Sequence, residues 1–314
     1  MYKLIFVLPL GDADAQRVHY TIKSIRKYCT DYLISVVLDG VKNPSALPVG
    51  DDIEYLDAKY KSGGHWGAIW LNQMHAMCAY IDHPKTDDNT LFVKIDADAL
   101  IVQEGFYQRA KALFNSRPKA GQIGQVYTDS VGNRLVNKGW QNFYHKTLGW
   151  RGYKKFILGK AANGQFSKNL SARLQAYQTY ANLVKKNPAP HEYAIGGCYC
   201  LTQQFVADFY RKGLLDANPF LFTPEFGEDA IMGLYVGALG YTLLDDTMDQ
   251  GLFAVGGMYN KYDDAFRANP LKIAQRGHTV IHPFKFGYQD NSIQLDEFEL
   301  ADKLLNQTQA QQHK

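Results

Sequence analysis

The sequence has few cysteines and no pattern that pairs them or makes them metal ligands. Only four occur among 314 residues. They show no Cys-x-x-Cys spacing and no histidine nearby at the spacing of a zinc finger. This excludes a disulfide scaffold and favours a reduced, cytosolic protein. The four are Cys29, Cys78, Cys198 and Cys200.

Long hydrophobic runs are also missing near the start of the chain. The run from Leu4 to Leu10 has seven residues, and Asp12 and Asp14 follow it. It is too short for a signal peptide or a membrane span, and we interpret it as the first strand. With 46% hydrophobic and 21% charged residues, the chain has an ordinary globular composition and can form one large domain or two smaller ones.

Acidic residues are absent from Ser130 to His191, a segment that carries eleven lysines and arginines. Because the whole chain has a net charge of only +3, the remainder is acidic. Clustered cations and aromatic rings are typical of contact with anionic lipid or phosphate. A solvated excursion around an aromatic core stays an equal alternative, and nothing else supports nucleic acid as a partner. The interleaved aromatic residues include Trp140, Phe143, Tyr144, Trp150, Tyr153 and Phe156.

Strand and helix patterns alternate along the first part of the chain, which predicts an α/β fold. We expect a Rossmann-like, mostly parallel sheet with helices on both faces. Such sheets bind ligands beyond the carboxyl ends of their strands, where Asp39 follows the second strand. The predicted strands are Lys3 to Leu10, Tyr32 to Leu38, Ile53 to Leu56 and Leu91 to Asp96, and the predicted helices are Ala15 to Tyr28, Trp66 to Ile81 and Glu104 to Asn115.

An acidic pair, Asp96 and Asp98, stands at the end of the apolar run that begins at Leu91. Carboxylates two residues apart at a strand end can point into one cavity. Hard cations such as Mg2+ or Mn2+ bind carboxylate oxygen and take further oxygens from phosphates. The pair therefore indicates a site for a divalent cation and a nucleoside diphosphate, although acidic turn residues are also common at strand ends.

Two other uses of an Asp-x-Asp sequence fit this chain less well. The haloacid-dehalogenase phosphatases normally place the motif after their first strand, followed by Thr or Val where this chain has Leu100. A calcium-binding EF-hand loop requires an oxygen ligand and a glycine at its fifth and sixth positions, which are Leu100 and Ile101 here. The EF-hand interpretation is therefore excluded.

A second acidic pair, Glu228 and Asp229, opens a helical pattern that continues to Gly240. A carboxylate at a helix start is stabilised by the helix dipole and free amides, so capping and catalysis are both open. The glycine pair Gly196 and Gly197 permits close approach of the backbone to another group.

Two histidines, His278 and His282, occur at even spacing in a predicted strand that ends near Phe284. Histidine is usually structural, but it can complete a metal site formed by carboxylates.

In the order of these motifs the chain resembles the glycosyltransferase A (GT-A) superfamily, closest in pattern to its family 2-like members. The resemblance covers residues 1 to 290. The residues that carry it are Val7 to Leu10, Asp39, Gly63 to Gly67 with Asn72, Asp96 and Asp98, Gly196 and Gly197, Glu228 and Asp229, and His282. It implies a single catalytic domain over 1–290, with a nucleotide-binding half over about 1–128, the basic insertion over 130–191, an acceptor half over about 192–290, and a C-terminal helix and polar tail over 291–314.

The resemblance also implies roles for single residues. Asp98 would bind the metal, Asp96 would bind the ribose or a metal-bound water, and His282 would be a third ligand with His278 as the weaker candidate. Asp229 would be the general base and Glu228 would hold a sugar hydroxyl. Inverting and retaining mechanisms are both open at this point. The residues expected to contact the nucleotide or donor sugar are Pro9, Asp39, Gly64, Trp66, Asn72 and Asp96.

The resemblance thus implies a metal-dependent glycosyltransferase with Mn2+ or Mg2+ as cofactor and a UDP-sugar as the expected donor. The acceptor would be a glycan or a lipid-linked molecule. A cytoplasmic location is expected, and peripheral contact with the inner membrane face through 130–191 stays open. A sugar-nucleotide pyrophosphorylase and a non-catalytic nucleotide-sugar or glycan-binding module are the alternatives. A pyrophosphorylase would need a glycine-rich signature with Arg and Lys after the first strand, and this chain has the acidic stretch from Leu10 to Asp14 there instead.

Overall fold

The structure is a computed structural model that describes residues 1–126, 149–150, 153–154, 170–187, 192–215, 227–246, 251–255, 270–289 and 294–307. Its strands are β1 (Leu4–Gly11), β2 (Tyr32–Asp39), β3 (Ile53–Asp57), β4 (Leu91–Ile95), β5 (Leu100–Ile101), β6 (Ala120–Val126), β7 (Ala194–Thr202), β8 (Thr242–Asp245), β9 (Phe253–Val255), β10 (Val280–His282), β11 (Tyr288–Gln289) and β12 (Gln294–Leu295). Its α-helices are α1 (Val18–Tyr28), α2 (Trp66–Cys78), α3 (Phe106–Ser116), α4 (Leu170–Lys186), α5 (Gln203–Arg211), α6 (Glu228–Ala238), α7 (Pro270–Ala274) and α8 (Glu297–Gln307), and short 3-10 turns lie at Asp12–Asp14 and Pro44–Ala46.

A seven-stranded sheet in the order β3-β2-β1-β4-β7-β6-β8 forms the centre of the fold. Strands β3, β2, β1 and β4 run parallel to one another, and β6 runs parallel to β8. Only β7 runs against its neighbours in this sheet, β4 and β6. The predicted mostly parallel α/β fold is confirmed, and the carboxyl ends of β1 to β4 meet at one edge.

The sheet has a hydrophobic layer on each face because its strands alternate their side chains. Ile5 and Val7 of β1 pack on one face with residues of α2, α4, α5 and α6. Phe6 and Leu8 pack on the other face with residues of α1 and α3. Helices therefore cover both faces, as the sequence predicts.

A smaller sheet in the order β5-β10-β9 stands next to the end of β4. The strand predicted from His278 to Phe284 is the shorter β10, and Phe284 N–H donates to the carbonyl of Asp98 at 3.0 Å. Helix α8 covers this sheet through Leu300 and Leu304 and pairs with α1 through the Arg17 to Glu297 ion pair at 2.7 Å. This packing fixes β10 against the segment that carries the Asp-x-Asp motif.

Most of the basic segment from Ser130 to His191 lies outside the described residues. Helix α4 is the longest part that is described, and it belongs to the core. Tyr180 is fully buried and its ring lies 5.3 Å from that of Tyr235 in α6. The prediction that the segment is a basic insertion with a binding role stays a prediction.

None of the helices in the described ranges combines the length and the apolar character that crossing a bilayer requires.

Candidate active site

The two aspartates and His282 form one cluster at the carboxyl edge of the central sheet. Strand β4 ends at Ile95, and the chain then turns, with Asp96 N–H donating to the Gly197 carbonyl at 3.0 Å. His282 Nε2 lies 3.2 Å from Asp98 Oδ1 and 3.6 Å from Asp96 Oδ2. Each of the three residues offers one ligand atom, and these atoms lie within 4.8 Å of one another.

One carboxylate oxygen of each aspartate pairs with a lysine. Asp96 Oδ1 accepts from Lys94 Nζ at 2.7 Å, and Asp98 Oδ2 lies 2.8 Å from Lys285 Nζ. Each carboxylate therefore presents a single oxygen to the cluster.

The electrostatics of the two aspartates differ. Burial raises the pKa of Asp96 to about 6, against the lowering effect of Lys94. For Asp98 burial acts in the same sense, but His282 and Lys285 outweigh it and lower the pKa. Asp98 is therefore the more fully ionised ligand.

The chemistry of this cluster fits a divalent metal ion. Two carboxylate oxygens and one imidazole nitrogen are ligands that Mn2+ accepts, and Mg2+ accepts the oxygens. The ring of His282 reaches this position only because residue 197 is glycine, since a Cβ there would collide with Nδ1. His278 does not belong to the cluster, because its Nδ1 lies 2.9 Å from the carbonyl oxygen of Gly251.

Helix α6 brings the second acidic pair to the same place. Glu228 is held through both oxygens, by Lys94 Nζ at 2.8 Å and by Gln73 Nε2 at 2.7 Å. Gly196 keeps space for it, because a Cβ at that position would lie 3.1 Å from Glu228 Oε1. Asp229 accepts a hydrogen bond from Ala230 N–H at 2.7 Å, and burial together with the charge of Glu228 raises its pKa to about 6.

The structure connects these two acidic pairs through Lys94, which the sequence analysis does not identify. The Lys94 side chain is fully buried, and its ammonium also donates to the Gly196 carbonyl. The signal in the sequence is a single charge inside the run from Leu91 to Ile95, because lysine is almost never fully buried unless it is paired. Gln73 and Lys285 are two further contact residues that the sequence analysis does not name.

The residues expected at the nucleotide lie along the ends of β1 and β2. Asp39 stands beside Gly11 in the register of these strands, and Asp39 Oδ1 accepts from Ser62 N–H at 3.4 Å. Gly63 and Gly64 have φ angles of +50° and +87°, which favour glycine over other residues. This loop and the end of β2 therefore form one surface.

Three further residues predicted at the nucleotide occupy different positions. Pro9 lies in β1, two residues from its carboxyl end, and is partly buried. Trp66 begins α2 and is 48% exposed. Asn72 is buried and pairs with both the N–H and the carbonyl of Tyr60, at 2.9 and 2.7 Å, so it positions the segment before α2. Direct nucleotide contact by these residues stays a prediction.

Comparisons with known proteins give structural similarity only. No protein-family model matches the chain. No curated protein matches it. The chain is similar to core-mannan synthase A from Aspergillus fumigatus in its Mn/GDP form, with 12% identity, a TM-score of 0.37, and coverage of 76% of this chain and 70% of that one. It is also similar to a mannosyltransferase from Pyrobaculum calidifontis in complex with GDP-Man and Mn2+, with 14% identity, a TM-score of 0.38, and coverage of 77% and 54%.

A mannosyltransferase from S. cerevisiae gives comparable values, with 11% identity, a TM-score of 0.37, and coverage of 75% of this chain and 66% of that one. The chain thus spans between about half and about 70% of the length of these proteins. Because the scores are low, the fold is assigned from the sheet topology of the chain itself.

Proposed function

We propose that the protein is a metal-dependent glycosyltransferase that moves a sugar, most simply a hexose, from a nucleoside diphosphate to an acceptor hydroxyl. One observation carries the proposal. The Asp96, Asp98 and His282 cluster and the Glu228 and Asp229 pair, which are far apart in sequence, meet at the ligand-binding edge of a mostly parallel sheet.

The charge of the site supports a divalent cation. The buried Lys94 and the more exposed Lys285 face four carboxylates, which leaves an excess of two negative charges among these six side chains. Asp96, Asp98 and His282 would hold the cation. When bound, it compensates the charge of the departing diphosphate.

Asp229 is the better candidate for the base. Both oxygens of Glu228 are engaged by Lys94 and Gln73, so Glu228 holds its position and is not free to take a proton. Asp229 has a pKa of about 6, which leaves it ionised at neutral pH and close to the value that suits proton transfer there. Asp229 would remove the proton of the acceptor hydroxyl as this oxygen attacks the anomeric carbon of the donor.

The donor side is proposed to lie along Asp39 and the Gly63 to Gly64 turn. Asp39 can accept a hydrogen bond from a base, and the turn brings backbone close to the ligand. Trp66 is exposed enough to stack on a base or a sugar. A UDP-sugar is the donor expected from the sequence, and the experiment below also tests GDP-sugars.

The acceptor is proposed to be a glycan or a lipid-linked molecule that meets the basic segment over 130–191. Trp150 is 75% exposed and its ring stacks on Tyr153 with 5.7 Å between centroids. Exposed aromatic rings of this kind stack on sugars or lie at membrane interfaces. Neighbouring cations attract phosphate or anionic lipid.

The experiment is a panel of UDP- and GDP-sugars with Mn2+, read as nucleotide release with and without glycan and lipid-linked acceptors. Acceptor-dependent release that chelation abolishes is the expected result. Formation of nucleotide-sugar from sugar phosphate and nucleoside triphosphate would instead identify a pyrophosphorylase. Tight donor binding without turnover would identify a binding module.

A further inference from the structure

Lys94 lies in a position where a lysine is costly. It is near the carboxyl end of β4, the central strand of the seven-stranded sheet, and its side chain has no exposure to solvent. Burying an ammonium destabilises the fold unless good partners replace the water it loses. Its partners are Asp96 at 2.7 Å, Glu228 at 2.8 Å and the carbonyl of Gly196.

We propose that Lys94 is a positioning residue that couples the candidate metal cluster to the Glu228 and Asp229 pair. The proposal rests on the proposed function and deepens it. Lys94 turns one oxygen of Asp96 away from the cluster and leaves the other, Oδ2, facing His282. The same ammonium fixes Glu228 in the first turn of α6, next to the proposed base.

A closed set of contacts keeps the ammonium in place. Lys94 and Tyr199 are partners across β4 and β7, and the ammonium lies 5.9 Å from the centre of the Tyr199 ring. Tyr199 donates its hydroxyl to Gln73 Oε1 at 3.3 Å, and Gln73 donates to Glu228 at 2.7 Å. Three elements thus determine the geometry of Glu228: β4, β7 and α2.

Lys94 connects the residues proposed to bind the donor with the residues proposed to activate the acceptor. Asp96 belongs to the side that holds the diphosphate, and Asp229 to the side that activates the acceptor. A misplacement of about 1 Å between reacting groups can cost about 100-fold in rate. A fixed ammonium between the two sides limits such misplacement without touching either substrate.

The first test uses Mn2+ alone and does not depend on turnover. Calorimetric titrations compare the parent protein, Glu228→Gln, Lys94→Gln and the double variant. In the parent background, Glu228→Gln removes one of the two carboxylates that pair with Lys94. The ammonium then neutralises Asp96 more strongly, Asp96 attracts Mn2+ less, and the Kd for Mn2+ should rise about 5-fold or more. In the Lys94→Gln background the link is absent, and the same change should alter the Kd less than about 2-fold.

Two variants of Lys94 and one control variant are needed for this test. Gln at position 94 retains N–H donors that can serve the Gly196 carbonyl but carries no charge. Lys94→Met is the second variant if Lys94→Gln does not fold. Lys3→Met is the matched control, because Lys3 forms an exposed ion pair with Asp31 at 2.7 Å on the same sheet, at the opposite end of its strands.

The second test measures turnover with the donor that the panel identifies. Lys94→Gln should lower kcat about 100-fold and change the donor KM less than about 3-fold. A purely structural role would lower the yield of folded protein and leave kcat per folded molecule near that of the parent.

The outcomes separate the two proposals. Two results would overturn the proposed role of Lys94 but not the proposed function. One is an equal fold-change in Kd on Glu228→Gln in both backgrounds, and the other is an unaltered kcat in folded Lys94→Gln. Coupling in the Mn2+ titration together with a parent that turns over no donor would keep Lys94 as a link and overturn glycosyl transfer. A parent that binds no Mn2+ would overturn both.

Discussion

The replacement Asp229→Asn should have opposite effects on activity and on stability. The amide has nearly the shape of the carboxylate and can still accept the hydrogen bond from Ala230 N–H. It cannot take a proton from the acceptor, so we expect kcat to fall about 100-fold or more while donor binding stays within about 2-fold.

The stability effect follows from the raised pKa of Asp229. The pKa of Asp229 is about 6 in the folded protein and 3.8 in the unfolded chain. Ionisation of this carboxyl group therefore destabilises the folded protein. Its contribution is fully favourable below about pH 4 and is lost as the pH rises through 6. The difference of about two units between these pKa values lowers the free energy of unfolding by about 3 kcal/mol above pH 7.

The net gain should be smaller than this figure. Asp229 retains some contact with solvent, and it is the second residue of α6, where a negative charge stabilises the helix by about 0.3–1 kcal/mol. We therefore expect Asp229→Asn to raise the free energy of unfolding by about 1–2 kcal/mol at pH 8 and to have no such effect at pH 4.

The assay combines urea unfolding at pH 4 and pH 8 with initial rates from pH 5 to pH 8.5. The parent kcat/KM should rise with pH through about 6 and then level off, which is the behaviour of a base. Asp208→Asn is a control carboxylate away from the site. Near-normal turnover in Asp229→Asn would refute the assignment of the base, and lower stability at pH 8 would refute the reasoning about its burial.

Three further predictions concern the metal and donor sides. Asp98→Asn should weaken Mn2+ binding at least about 100-fold in calorimetry, with the fold intact by circular dichroism, since a ligand matters more than the outer contacts that cost 10- to 100-fold; unchanged affinity would contradict the metal site. Gly197→Ala should weaken Mn2+ binding because its methyl group collides with the ring of His282. Gly213→Ala is a control for stability loss alone, since its φ of +65° strains an alanine at a surface turn but should leave the Kd unchanged. Asn72→Ala should cost about 2 kcal/mol in urea unfolding, because it removes the two buried hydrogen bonds between Asn72 and the backbone of Tyr60, and it should raise the donor KM if the segment before α2 contacts the nucleotide.

Local pattern was enough to predict the scaffold of the site. The strands β1 to β4 and the helices α1 to α3 agree with their predicted bounds within three residues. Each is a continuous apolar or periodic run with polar residues at both ends, so its type depends on neighbours in sequence. Parallel strands that alternate with helices place their carboxyl ends together, and this brings Asp39, Asp96 and Asp98 to one edge.

Long-range pairing is the part that local pattern does not reveal. Strand β7 is not among the predicted strands, yet it supplies the neighbour that β4 needs and carries both Gly196 and Gly197. The contact between Lys94 and Glu228 joins residues 134 positions apart. Its geometry depends on the register of β4 with β7 and on the packing of α6, neither of which leaves a periodic signal.

Physical chemistry nonetheless leaves a trace of this contact in the sequence. An ammonium in the middle of an apolar strand cannot stay buried without carboxylate partners. Asp96 is the first partner, two residues along the chain, but only one of its oxygens accepts from Lys94, while the other faces His282. A second carboxylate must therefore approach from a distant element, and Glu228 satisfies this requirement. The same lysine that makes the strand unusual thus indicates that an acidic group from elsewhere in the chain must reach it, and in the structure this group is at the start of α6.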